Sequence, residues 1–251
     1  MEYLRPGVPN MSADLSLILP VYNEGDNIGR TFDEIEAKIG GGCVNEVVLV
    51  YDFDEDNTLP AAREAAGRHS FPIRLVRNAF GRGALGAIRT GFKEAKGPFV
   101  LVCMADLSDD LAAVQPMLDR MREGCDLVCG SRYMRGGRQN SKMFLKSTLS
   151  RLAGVSLYYL AGIPTHDITN SFKMYRKDLL DRLTLESAGG FEIGMEIVVK
   201  TFALGGKIAE VPSVFNDRAA GQSRFRMWKW LPNYLHWYWF ALKSRFRKQT
   251  R

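Results

Sequence analysis

Five short apolar runs alternate with helical patterns through the first half of this chain, and that alternation leaves it few folds to adopt. The runs are Leu15–Val21, Glu46–Tyr51, Ile73–Val76, Phe99–Met104 and Asp126–Cys129. Each is short, carries β-branched residues and is bounded by polar or turn-forming residues, the pattern of a strand buried on both faces. Between them, Ile28, Phe32, Ile35 and Ile39 repeat at helical spacing and stop at Gly40-Gly41-Gly42. A second helix is expected through Ala61–Arg68 and a third up to Lys96. Strands and helices in this order predict an α/β chain with a doubly wound, mainly parallel sheet. Such sheets bind ligands outside the carboxyl ends of their strands.

Three of those ends are polar. Pro20-Val21-Tyr22-Asn23-Glu24 closes the first run, Asp52, Asp54, Glu55 and Asp56 follow the second, and Asp106, Asp109 and Asp110 follow the fourth. Two readings compete for the last group. Clustered acids can hold a hard divalent cation, which neutralises phosphate. Alternatively, Ser108-Asp109-Asp110 caps a helix at Leu111–Arg122, with acids at its positive end. The convergence of three polar strand ends is harder to explain by capping alone.

After Gly130-Ser131-Arg132-Tyr133 the pattern changes. Arg135–Lys142 is a glycine-rich basic loop, and Met143–Ile163 is apolar and helix-compatible up to the break at Pro164–Asp167. Residues 168–183 read as strand then helix, 190–204 as a helix and Lys207–Phe215 as a strand. Met227–Phe246 holds all four tryptophans, with Leu231, Leu235, Trp239, Leu242 and Phe246 on one helical stripe. Residues 218–251 carry nine Lys/Arg and no acid, against 25 bases and 28 acids elsewhere. So local a charge points to an anionic surface and not to nucleic acid. The four cysteines form no C-x-x-C pair, so a reduced, cytoplasmic chain without a zinc site is expected. No apolar leader opens the sequence, and no apolar stretch reaches the ~18 residues of a membrane span.

From Pro20-Val21-Tyr22-Asn23-Glu24 onward the chain resembles the inverting family 2 glycosyltransferases of GT-A, Rossmann-like fold. Within them it resembles the polyprenyl-phosphate (dolichol-phosphate) mannose synthases. The other markers stand in order over residues 15–225: the acidic turn after the second run, Arg77-Asn78…Gly81-Arg82-Gly83, Met104-Ala105-Asp106-Leu107-Ser108, Gly130-Ser131-Arg132-Tyr133, Asp167-Ile168-Thr169-Asn170-Ser171-Phe172, and Glu210-Val211-Pro212…Arg218…Ser223-Arg224. Each is weak alone; their order and spacing carry the resemblance. Gly81-Arg82-Gly83 lacks the Gly-Lys-Ser/Thr of a P-loop.

The resemblance implies a role for each marker. Pro20, Tyr22 and Glu24 are expected to cradle the donor nucleotide, with Tyr22 against the base and Asp52 at base or ribose. Ala105 and Asp106 line the donor. Asp106, with Ser108, is the expected site for Mg²⁺ or Mn²⁺ and the donor diphosphate. Arg132 and Arg218 are expected near the sugar-phosphate and the acceptor phosphate, with Ser223 and Arg224 beside a lipid phosphate. Asp106, Arg132 and Arg218 are thus the implied catalytic residues. Arg224 replaces the family's lysine, and Met104 replaces the first acid of its D-x-D motif.

The implied reaction moves a hexose, mannose from GDP-mannose, onto polyprenyl phosphate with inversion. An acceptor phosphate is already an anion, so the site must align and neutralise and needs no strong base. Two alternatives stay open: a UDP-sugar with another acceptor, and an inactive nucleotide- or lipid-binding module that lost the first acid. His166 reads as a turn partner. Glu196 resembles an inward orienting acid, and its alternative is a solvated charge beside Glu192. The expected organisation is an arm at 1–13, a GT-A domain at 14–225 and an aromatic, basic interfacial helix at 226–251. That helix implies a chain peripheral on the cytosolic face of a membrane, held by lipid or a membrane-anchored partner.

Overall fold

The computed structural model describes residues 2–4, 14–40, 42–140, 144–216 and 227–248. In chain order its elements are β1 (Glu2–Tyr3), β2 (Leu15–Pro20), α1 (Gly25–Lys38), β3 (Val44–Tyr51), α2 (Thr58–Ala66), β4 (Ile73–Arg77), α3 (Ala84–Glu94), β5 (Phe99–Val102), α4 (Val114–Arg122), β6 (Leu127–Ser131), β7 (Arg138–Asn140), α5 (Phe144–Ala161), β8 (Lys173–Arg176), α6 (Lys177–Arg182), α7 (Ile193–Ala203), β9 (Ile208–Pro212), β10 (Val214–Asn216) and α8 (Met227–Lys248). The five runs of the first half are β2 to β6, the strand expected within 168–183 is β8, and the single strand expected at Lys207–Phe215 is divided into β9 and β10.

Eight strands form one sheet in the order β1-β4-β3-β2-β5-β8-β6-β9. β4, β3, β2 and β5 run parallel, as do β6 and β9. β8 lies antiparallel between β5 and β6. The sheet grows outward from β2 through β3 to β4, then reverses to β5, so the crevice of a doubly wound sheet opens between the ends of β2 and β5. The expected basic loop contains a strand, β7, which pairs parallel with β10. Helices α1, α2 and α4 cover one face, where Ile28, Phe32, Leu59 and Met117 join the buried strand residues. The other face is covered by α3 and α5 to α8.

The first residues are not wholly loose. Glu2 and Tyr3 pair antiparallel with Leu75 and Arg74, and Arg63 grips the Glu2 carboxylate with two nitrogens, at 3.1 and 2.7 Å. Residues 5–13 lie outside the described residues. Beneath the sheet, Arg74 is fully buried on a strand otherwise apolar inward. It donates to Glu46 Oε2 at 2.6 Å and to Glu94 Oε2 at 2.8 Å. Glu46 Oε1 in turn accepts the Ser16 hydroxyl and the Lys96 amide. This pair joins β2, β3, β4 and the turn that feeds β5.

On the C-terminal helix, Leu235 and Trp239 of the expected stripe face outward. Trp237 and Ala241 are buried with α5 and α7, and Leu242 packs partly inward. The outward apolar residues are Leu235, Trp239 and Phe240. The indole of Trp237 packs inward where α8 meets α5 and α7. On α5, Leu145, Leu149, Leu152, Tyr159 and Leu160 face outward. Gly154 lets α5 cross the following loop: a Cβ there would lie 2.0 Å from the His166 carbonyl oxygen.

Candidate functional site

At the end of β2, Asn23 adopts a left-handed φ of 54°. Asp56 holds it there, accepting the Asn23 amide on both oxygens at 3.1 Å and the Thr58 amide at 2.8 Å. The Thr58 hydroxyl also accepts the Glu24 amide at 2.9 Å. Asp56 is thus the post that fixes the expected cradle, a role its place in an acidic turn did not reveal. Pro20 is half-buried, and the Glu24 carboxylate accepts the Asn27 side-chain amide at 2.7 Å. Tyr22 is 40% exposed, with its ring edge-on to Phe53 at 5.3 Å between centroids.

Asp52 stands at the end of β3. One of its oxygens accepts the Asn78 side-chain amide at 2.8 Å and the other the Gly83 amide at 2.9 Å. Gly83 sits at φ 105°, a conformation that costs glycine little. The carboxylate therefore shapes the 78–83 loop that enters α3.

After β5, Asp106 is 3% exposed and its Oδ1 accepts the Ser108 amide at 3.1 Å. Leu107 between them has a left-handed φ of 61°. Ser108 is buried, and its carbonyl accepts the Asn216 amide. The Ala105 carbonyl accepts the Thr31 hydroxyl at 3.0 Å, which ties this loop to α1. The three acids divide their work. Asp110 caps the turn that opens α4, accepting the Ala112 amide, and also takes the Val214 amide. Asp109 does not cap; it turns back to accept the Met104 amide at 2.8 Å.

Among the described residues, no group of three or more His, Cys, Asp or Glu side chains is placed to hold a metal. Magnesium, however, is commonly bound by one or two carboxylates, with water and substrate phosphates completing its shell. Asp106 with a donor diphosphate meets that requirement, and Ser108, whose amide Asp106 accepts, is buried two residues on.

Burial, reinforced by the Asp106 charge, outweighs the Met104 amide and pushes the Asp109 carboxyl up to about 7. The folded chain thus holds this proton more tightly than the unfolded one. The stability Asp109 contributes is complete below about pH 4 and is lost as pH rises through 7. Thermal unfolding of wild type and Asp109→Asn from pH 4 to 8 should show the wild-type curve declining relative to the variant across that window. Parallel curves would contradict the assignment.

Arg132 closes the other side of the loop. Its Nε and Nη2 bind the two oxygens of Asp167 at 2.6 and 2.8 Å, and its amide donates to the same carboxylate. Asp167 is fully buried. Burial opposes the charged form of both groups, but the opposite charge and these hydrogen bonds prevail, raising Arg132 and lowering Asp167. Nη2 also reaches Ser150 on α5, whose hydroxyl accepts from Tyr133 at 2.9 Å. Asp167 lay within a recognised motif; its pairing to Arg132 did not show in the spacing. Arg218, Ser223 and Arg224 lie outside the described residues.

Glu196 is fully buried and accepts the Glu186 and Ser187 amides at 2.6 and 2.9 Å, so it is no solvated charge. Glu192 is buried beside it and accepts the Gly189 amide. His166 pairs through Nδ1 with Glu210 at 2.6 Å and stacks on Tyr158, which suits the turn partner the sequence suggested.

The model of glycosyl transferase family 2 matches residues 16–184. A dolichol-phosphate mannosyltransferase of Pyrococcus furiosus is 30% identical over 216 residues, 84% of this chain and 59% of that protein. A polyprenol monophosphomannose synthase of Mycolicibacterium smegmatis is 28% identical over 83% of this chain and 79% of its own length. Among solved structures, glucosyl-3-phosphoglycerate synthase of Mycobacterium tuberculosis, in complex with Mn²⁺, UDP and its product, superposes with a TM-score of 0.65. It is 21% identical and covers 96% of this chain and 85% of its own. That likeness establishes the GT-A fold.

Proposed function

The chain belongs to glycosyl transferase family 2, and from that premise we propose that it transfers mannose from GDP-mannose to a polyprenyl phosphate with inversion. One observation carries the reading. A buried Asp106 follows β5 at the β2–β5 crevice, with the Tyr22–Phe53 ring pair in the loops after β2 and β3 and an Asp167-held Arg132 just after β6. The two curated relatives, both named for mannosyl transfer to such lipids, support the sugar and the acceptor.

In this mechanism the loop fixed by Asp56 receives the nucleotide, and Asp106 faces the donor diphosphate. A divalent cation held by Asp106 would neutralise the departing diphosphate. Arg132 cannot swing freely, because Asp167 clamps two of its nitrogens. It therefore offers a fixed positive edge with little reorganisation cost, while Arg218, Ser223 and Arg224 supply further contacts to the acceptor phosphate. Alignment of a phosphate oxygen behind the anomeric carbon does the rest.

Peripheral attachment to the cytosolic membrane face completes the reading. Helices α5 and α8 carry seven Lys/Arg and no acid in sequence, and they present Leu149, Leu152 and Trp239 outward. Trp favours the headgroup zone and basic residues favour anionic lipid. Among the described residues no helix is long and apolar enough to cross a membrane.

A donor panel tests the reading. GDP-mannose, UDP-glucose and UDP-galactose are each supplied with polyprenyl phosphate and Mg²⁺, with and without chelator. Glycolipid from GDP-mannose alone, lost with chelator, is expected. Glycolipid from a UDP-sugar alone would contradict the donor assignment.

A further inference from the structure

The resemblance assigns Asp52, at the end of β3, to the base or ribose, yet the fold engages most acids of that turn. Asp52 holds Asn78 and Gly83 with its two oxygens. Asp56 holds Asn23 and Thr58. Asp54 pairs with Arg77 at 3.0 Å, and Glu55 is exposed. What this end of the sheet still presents is aromatic: the half-buried Phe53 ring set edge-on to the 40% exposed Tyr22, each in the loop that ends one of two adjacent strands.

We propose that Phe53, together with Tyr22, forms an aromatic corner that holds the donor base by its face, so that this chain discriminates weakly among nucleobases. The inference rests on the glycosyltransferase reading above and deepens it. Every base has a π-face, so stacking binds them with similar strength, whereas discrimination requires hydrogen bonds to the base edge. A ring at 53 also restricts space beside Tyr22, which orients the base against the pair. T-shaped aromatic pairs keep fixed relative geometry, so the corner is largely formed before the ligand arrives.

Titration calorimetry of the full chain with GDP, UDP and ADP in Mg²⁺ tests this, using wild type, Phe53→Leu and Phe53→Tyr. Wild type is expected to bind the three within about tenfold of one another. Phe53→Leu, which keeps bulk and loses the π-face, should weaken all three by about 5- to 150-fold, and Phe53→Tyr should restore them. Unchanged melting of Phe53→Leu separates a lost contact from a lost fold. Full affinity in a folded Phe53→Leu protein overturns the inference, as does wild-type preference for one nucleotide by more than about 100-fold. Wild type that binds none of the three overturns the donor reading itself, a distinct result.

Discussion

In the Asp106→Asn protein, mannosyl transfer is expected to fall by at least about 10²–10³-fold, the scale of removing one preorganised electrostatic group from a reacting centre. The substitution keeps an oxygen for the Ser108 amide, which Asp106 Oδ1 accepts at 3.1 Å, so the loop should hold its shape. What disappears is one negative charge in a nearly fully buried position. Met104, two residues upstream, carries no charge, and Asp109 is turned to the Met104 amide. Little else near the loop replaces that charge. The expected signature is a lower kcat with a melting temperature close to wild type, measured by initial rates and thermal unfolding. Near-normal turnover in a folded Asp106→Asn protein would remove Asp106 from the mechanism.

The second large effect concerns stability. Arg74→Met should cost about 3–5 kcal/mol, because it leaves Glu46 charged, buried and short of its partner. The loss propagates: Glu46 also holds the Ser16 hydroxyl and the Lys96 amide, and Lys96 lies in the turn feeding β5, whose far end carries Asp106. Adding Glu46→Gln should recover part of the loss, since Gln is neutral and keeps an acceptor for Ser16 and Lys96. Urea unfolding reads both variants as shifts in midpoint. A midpoint for Arg74→Met close to wild type would show that the buried pair is dispensable.

Sequence patterning reached the parallel strands because each is a short apolar run between turn signals, and burial on both faces writes itself directly into composition. It reached the crevice because strand ends must be polar where they open to ligand. It reached β8 as a strand within 168–183 but not its antiparallel place between β5 and β6, which depends on pairing across some 45 residues. Arg74 defied the pattern for a related reason: its charge is hidden by partners 28 and 20 residues away. At the site, residue types were legible and hydrogen-bond allegiances were not. Asp56, Asp109 and Asp110 look alike in sequence, yet one fixes a loop, one turns back on its own strand end and one caps. Phe53 carried no signal because an aromatic after a strand is ordinarily core; only the exposed ring of Tyr22 beside it suggests otherwise.

Inversion requires direct, in-line transfer to a phosphate oxygen. The configuration of the product tests it most directly: full-length protein is incubated with GDP-α-mannose and polyprenyl phosphate, and the anomeric coupling of the isolated mannosyl phosphate is read by NMR. A β-linked mannosyl phosphate is expected as the sole glycolipid. An α-linked product, or mannose released without any glycolipid, would contradict it.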